Sequence, residues 1–168
     1  MTHTELFNAF ADTTGELMDL LSPLSEDKLN TVPFEGSWTA AQLGDHLYKS
    51  YGIATVLNGK TEATTRPVDE KVEGIKGVFL NFDIRMQSPE FIVPGSGHFD
   101  KTILLTGLAK RINFVKDYIT NTDDLSVTYL DFQLPNMGTL TGVEWVQFMT
   151  MHTIRHVRQL KRIVAALY

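Results

Sequence analysis

The stretch that decides the fold lies near the C-terminus and, from Thr141 to Leu160, reads TGVEWVQFMTMHTIRHVRQL. Thr141 and Glu144 have the spacing of a capping box, in which both side chains accept hydrogen bonds from exposed amides at the start of a helix. The residues that follow carry no proline or glycine to interrupt a helix. We therefore predict a long last helix that runs from this point almost to Tyr168.

Two histidines lie on the apolar side of this predicted helix. His152 and His156 are four residues apart, so about 40° separates them on a helical wheel and their rings point the same way. Trp145, Phe148 and Met149 fall on that side too, which predicts that both imidazoles face the core. An unpaired polar ring is costly there. A cation shared by the two rings explains both together, whereas a core hydrogen bond is the usual explanation for either histidine alone.

Three further long helices are predicted upstream. Apolar side chains recur at helical spacing over residues 4–21. A second capping box, Thr39 with Gln42, starts a helix over residues 39–57, and a third long helix covers residues 100–121. We predict that the third helix buries one apolar stripe, formed by Ile103, Leu104, Leu108, Ile112, Val115 and Ile119.

The segment over residues 60–99, between the second and third of these helices, has the least regular pattern. Its Val72, Ile75, Phe79 and Phe82 have a helical period that Gly74 and Gly77 weaken. Prolines and glycines exclude a helix interior over residues 88–97, so we predict an extended excursion that holds Phe91 and Ile92 against the body. No set of alternating strands is evident. The prediction is an all-α fold, a four-helix bundle with a long, partly irregular connection between the second and third long helices, in a single domain over residues 1–168.

Composition excludes several classes of function. The chain has 168 residues and a formal net charge of −5, which disfavours a nucleic-acid partner because phosphate binding needs an excess of lysine and arginine. It has no cysteine, which rules out disulfides, thiolate metal ligands and a cysteine nucleophile. The N-terminus does not have the pattern of a signal peptide, and no apolar stretch reaches the roughly 20 residues of a membrane span. We expect a cytoplasmic protein with no membrane partner.

A third histidine, His46, lies on the predicted second helix. Gln42, Lys49 and Ser50 lie on the same mixed face, and together with Gln159 of the last helix they are candidates to line a pocket. If His46 meets the C-terminal pair, three imidazole nitrogens can hold one divalent cation and leave a coordination position open. An open position is typical of a catalytic metal site. Three nitrogen ligands favour zinc or nickel over iron or manganese.

Two segments of the sequence resemble the signatures of one family. Residues 36–47, GSWTAAQLGDHL, are similar to the first signature of the DinB-like superfamily, which includes YfiT-type metal-dependent hydrolases. Residues 138–145 followed by residues 152–159, HTIRHVRQ, resemble the second, and the connections at 91–94 and 99–101 are also similar. The resemblance implies a four-helix bundle whose divalent metal is held by His46, His152 and His156. Members of the family include hydrolases and thiol-dependent transferases or isomerases, and they often form dimers.

The leading functional hypothesis is a metal-dependent enzyme that activates water or a thiol, with hydrolysis of a small-molecule substrate as the first interpretation. A thiol-dependent S-transferase or isomerase that uses a low-molecular-weight thiol is the alternative. A non-catalytic metal-binding helical module is a third, and a fourth ligand from Asp45 or Asp100 would favour it. The metalloprotease helix motif places a glutamate where this chain has Thr153, so that mechanism is not supported. No further catalytic residue is assigned, Arg155 and Arg158 are interpreted as solvated or salt-bridged, and a homodimer is possible.

Overall fold

The computed structural model describes the whole chain, residues 1–168, and it is predominantly helical, which confirms the predicted class. The α-helices in chain order are α1 (His3–Leu21), α2 (Glu26–Asn30), α3 (Ala40–Ser50), α4 (Val72–Phe79), α5 (Lys101–Asn121) and α6 (Gly142–Ala166). Two short 3₁₀ helices span Tyr51–Asn58 and Glu90–Ile92. Two strands, which the sequence did not predict, are β1 (Thr61–Glu62) and β2 (Thr128–Tyr129).

The starts of the long helices are fixed by local hydrogen bonds. At α3, the Gln42 amide donates to the Thr39 hydroxyl at 3.0 Å, and the Gln42 side chain accepts from the Thr39 amide. At α6, Thr141 and Glu144 form the same reciprocal pair. The Asp100 carboxylate caps α5. These contacts confirm both predicted capping boxes and show why α3, α5 and α6 begin where they do.

The long helices pack pairwise around a common core. Helix α1 contacts α5 and α6, and α3 contacts the same two helices. The first half of α6 is surrounded on all sides, because every residue from Gly142 to Thr153 except Val143 is buried. Of the stripe predicted on α5, Ile103 instead faces solvent with 75% of its surface exposed. It is turned by about 100° from Leu104, which takes the core-facing position. None of the helices combines the length and apolar character needed to cross a membrane.

The second long helix is shorter than predicted. Its α-helical part ends at Ser50, and the chain continues to Asn58 as a tighter 3₁₀ helix, a common way for a helix to end. Tyr51, the first residue of that segment, is buried, and its hydroxyl lies 2.6 Å from the hydroxyl of Thr153 on α6. This contact ties the end of α3 to α6 next to His152.

The connection between α3 and α5 is more ordered than its sequence suggests. Strand β1 pairs antiparallel with β2, and α4 packs on α6. Gly74 and Gly77 lie on the open side of α4, so they remove no packing contact and the helix forms despite them. Phe91 is 61% exposed, which corrects the prediction that it packs against the body. Its ring forms a T-shaped contact with the Phe132 ring, with centroids 6.2 Å apart.

One buried carboxylate joins this connection to α6. The two oxygens of Glu144 accept hydrogen bonds from both terminal nitrogens of Arg66, at 2.6 and 2.7 Å, and from the backbone amides of Lys71 and Thr141, at 2.8 and 2.9 Å. Burial raises the pKa of Glu144, but these donors outweigh it and the net pKa lies below the usual range. The ionised carboxylate therefore fixes the segment over residues 66–71 on the start of α6.

Candidate metal centre

The structure brings the three predicted histidines together in the interior. His46 lies on α3, and His152 and His156 lie one turn apart on α6; each side chain is at least nine-tenths buried. The Nε2 atom of His152 is 3.2 Å from Nε2 of His46 and 3.0 Å from Nε2 of His156. One nitrogen of each ring lies within 4.8 Å of the others. The α3–α6 contact thus builds a three-nitrogen cluster.

Hydrogen bonds on the outer side of two rings set their orientation. Nδ1 of His46 lies 2.8 Å from the carbonyl oxygen of Ile92, and Nδ1 of His156 lies 3.0 Å from the side-chain oxygen of Gln159. Both partners are acceptors, so each Nδ1 carries the proton and donates it. The Nε2 lone pairs of His46 and His156 then point into the cluster. Such outer contacts orient metal-ligating histidines in many proteins.

The surroundings keep these imidazoles uncharged. Burial lowers the pKa of His46, and the Ile92 carbonyl and Asp45 oppose the shift only in part. Burial, together with the neighbouring histidines, lowers the pKa of His152 well below its usual value. Burial and the nearby His46 lower the pKa of His156 to about 3. At neutral pH all three rings are therefore free bases, the form that binds a metal.

The donor set fits a divalent cation. The Nε2 atoms of His46 and His156 carry lone pairs that point into the cluster. A proton on Nε2 of His152 could form a hydrogen bond to only one of these two atoms. An electron-pair acceptor at the centre would satisfy all three. Ligand atoms 2.0–2.1 Å from a tetrahedral zinc lie about 3.3 Å apart, close to the two Nε2 separations of 3.2 and 3.0 Å. The cluster is compatible with a divalent metal site.

Aromatic rings enclose the histidines. Phe148 stacks on His152 with centroids 5.7 Å apart and an interplanar angle of 7°, and Phe79 meets the same ring edge-on. Trp38 lies 5.1 Å from His46 and stacks with His156 at 6.3 Å. These contacts hold the imidazole planes in place and exclude water from part of their surface.

A cavity of about 1590 Å³ opens beside the cluster, and all three histidines contribute to its wall. Of the predicted pocket-lining residues, Ser50 and Gln159 lie in the wall, whereas Gln42 and Lys49 do not. Gln42 is held by its capping box and by the carbonyl of Gly95. The Lys49 ammonium is held by Asp45 and by the carbonyl of Val93.

The two aspartates considered as a fourth ligand have other partners. Asp45 accepts from Lys49 and from the amide of Gly95, and Asp100 caps α5. The cluster contains no fourth histidine or carboxylate. Any further coordination position would therefore face the cavity.

Sequence reasoning missed several contributors to the site. Trp38 precedes the helix cap by one residue, and no periodic pattern points to its position beside His46 and His156. The Ile92 carbonyl belongs to the irregular connection, and a backbone acceptor leaves no mark in the sequence. The position of Phe148, by contrast, could be read directly, since it is four residues before His152 on one helix face.

The chain is similar in sequence to known proteins. The chain is 24% identical over 158 residues to a Bacillus subtilis (strain 168) protein called uncharacterized protein YuaE, and the match covers 92% of this chain and 94% of that one. No solved structure gives a significant match. The family model described as DinB superfamily matches residues 9–160, which include all three clustered histidines. The chain therefore belongs to the DinB superfamily.

Proposed function

We propose that the protein is a metal-dependent enzyme whose divalent cation is held by His46, His152 and His156. The observation that carries the proposal is the convergence of three uncharged imidazoles, with no fourth protein ligand, in the wall of a large cavity. A closed four-ligand shell is typical of structural metal sites, whereas three ligands and an open side are typical of catalytic ones. Zinc or nickel is the proposed metal, because the donor set is all nitrogen.

We also propose that α1, α3, α5 and α6 form a single four-helix bundle.

The leading reaction is hydrolysis of a small-molecule substrate. A divalent cation at such a site lowers the pKa of a water or thiol that it binds. The chain's own contribution is to hold the ligands and shape the cavity. The Ile92 carbonyl orients His46, and Gln159 orients His156. The rings of Phe148 and Trp38 fix the planes of the imidazoles. The resulting enclosure is partly dry, which strengthens electrostatic interactions with a bound substrate.

Thiol-dependent transfer is the second candidate, and two observations favour it. The cavity is larger than the roughly 300–1,000 Å³ of most ligand pockets, which leaves room for a thiol and an electrophile together. Its only carboxylate is that of Asp83, an exposed residue, so the cavity wall offers no enclosed carboxylate to act as a general base. A thiol needs such a base less than water does, because its pKa is far lower.

The first test is metal content. We expect the wild-type protein, reconstituted with zinc or nickel and dialysed, to retain one ion per chain, and His156→Ala to bind that ion more weakly by at least about tenfold. His98→Ala is the matched control, because His98 is exposed and pairs only with Glu26. Elemental analysis together with circular dichroism would distinguish lost binding from lost folding. Equal metal content in the wild-type protein and His156→Ala would refute the assignment.

The second test is turnover of ester, amide and electrophile substrates, with and without metal and with and without added thiol. Metal-dependent turnover in water alone supports the hydrolase. Turnover that appears only when a low-molecular-weight thiol is added supports the transferase. A metal-loaded protein with no activity in either series would favour the non-catalytic module.

A further inference from the structure

The cavity is positively charged although the chain as a whole is acidic. Four arginines contribute to its wall, Arg85, Arg155, Arg158 and Arg162, against the single carboxylate of Asp83. The formal charge of the chain is −5. None of these arginines takes part in an ion pair. This concentration of unpaired guanidinium groups in the same cavity wall as the histidines favours binding of a negatively charged ligand.

One of the four has a structural task. Arg155 donates to the backbone carbonyls of Phe79, Asn81 and Ile84 and thereby holds the segment after α4 against α6. Its guanidinium is largely used by these contacts, so it shapes the wall of the cavity. This placement replaces the sequence interpretation of a solvated or salt-bridged residue.

The other three are free to bind. Arg158 stacks on the face of Phe82, with its guanidinium carbon 4.1 Å from the ring centroid, which leaves the N–H edges of the group open. Arg162 lies one turn further along the same face of α6, and Arg85 lies on the segment that Arg155 holds. All three are exposed and line the cavity. A planar guanidinium with free edges matches the two oxygens of a carboxylate or phosphate.

The cavity wall also contains apolar surface. Large apolar side chains with partly exposed surfaces line it, namely Phe34, Phe82, Ile84, Met86 and Phe91. Arg162 is six residues beyond His156 on one helix, an axial separation of about 9 Å. A ligand that reaches both the histidines and the arginines therefore has an apolar body with an anionic group at one end.

We propose that Arg158, Arg162 and Arg85 form a subsite for the carboxylate or phosphate group of an amphiphilic small-molecule ligand whose other end reaches the histidines. The proposal rests on the proposed function for what happens at the histidine end. The anion subsite itself does not need the metal. It can therefore be tested in protein that has been stripped of metal.

The test compares phenylbutyrate with its uncharged amide, phenylbutyramide, by titration calorimetry on metal-free full-length protein. We expect the carboxylate to bind about tenfold more tightly than the amide, the size expected for a charge-assisted contact at a partly exposed site. The double variant Arg158→Gln/Arg162→Gln should abolish that preference. Lys110→Gln/Lys161→Gln, which removes the same charge outside the cavity, should keep it. 3-Phenylpropyl phosphate, which has the same phenyl group and three-methylene spacer as phenylbutyrate, shows in the same titration which of the two anions the subsite prefers.

A second measurement does not depend on any variant. In the wild-type protein the preference for the carboxylate should shrink as salt is raised, because screening weakens the arginine contacts. Equal binding of the acid and the amide at low salt would overturn the proposal, as would an unchanged preference in the arginine variant. Neither outcome bears on the proposal that the three histidines bind a metal, which His156→Ala tests separately.

Discussion

Replacing Glu144 with glutamine keeps the shape of the side chain but removes one of the two oxygens that accept from Arg66, Lys71 and Thr141. Each oxygen accepts one bond from Arg66 and one from a backbone amide. The variant therefore loses two bonds to an ionised carboxylate, each worth about 1.5 kcal/mol, the lower end of the range for charged partners, because Arg66 is partly exposed. Its amide group also points a donor at two other donors. We expect the free energy of unfolding to fall by about 3 kcal/mol.

Urea unfolding followed by far-UV circular dichroism at neutral pH measures this loss. If the slope of the unfolding free energy against urea concentration is the same in both proteins, their folded and unfolded states are comparable. Glu5→Gln is the matched control. Glu5 forms the same capping box with Thr2, but it is exposed and has no arginine partner. The control should therefore lose much less stability. A loss in Glu144→Gln below about 1 kcal/mol, or no larger than in the control, would refute the argument that this carboxylate anchors the connection.

Three further predictions concern the site and its support. Gln159→Leu removes the acceptor that orients His156, so zinc affinity measured against a chromophoric chelator should fall by about 10–100-fold, while Gln159→Glu should preserve it. The folded-state pKa of His156 is about 3, below its unfolded value near 6.5, so the metal-free protein should lose stability as pH falls through that window. His156→Gln should reduce the dependence of the unfolding free energy on pH by about 1.4 kcal/mol per pH unit within this window, as judged by urea unfolding at a series of pH values. Tyr51→Phe, which removes the buried hydrogen bond to Thr153, should cost about 1 kcal/mol in the same assay and leave metal content unchanged.

The starts of α3, α5 and α6 could be predicted because a helix cap is a local device. Thr39, Gln42, Thr141 and Glu144 make their contacts within four residues, so their spacing already contains the information. The pairing of His152 with His156 could be read in the same way, from a single helix. That His46 would join them depends on how α3 packs on α6, which the family resemblance implied and residue spacing alone did not.

The remaining features depend on contacts that are distant in sequence. The change from α-helix to 3₁₀ helix after Ser50 accompanies the burial of Tyr51 against Thr153, about 100 residues away. The two-residue strands form only because β1 meets β2. The exposure of Phe91 could not be predicted either, since an aromatic residue in an irregular segment usually packs inward.

The Ile92 carbonyl that orients His46 belongs to a segment whose neighbours, Phe91 and Val93, line the cavity. One short piece of backbone therefore serves two sites at once. We expect a ligand that shifts this segment to turn the His46 ring as well, and so to change how tightly the three nitrogens would hold the proposed ion. Thermodynamic reciprocity then requires that occupancy by the ion changes the affinity for the ligand by the same factor. Under the proposed function, the supply of metal would therefore affect how strongly the protein retains its ligand as well as whether it can react.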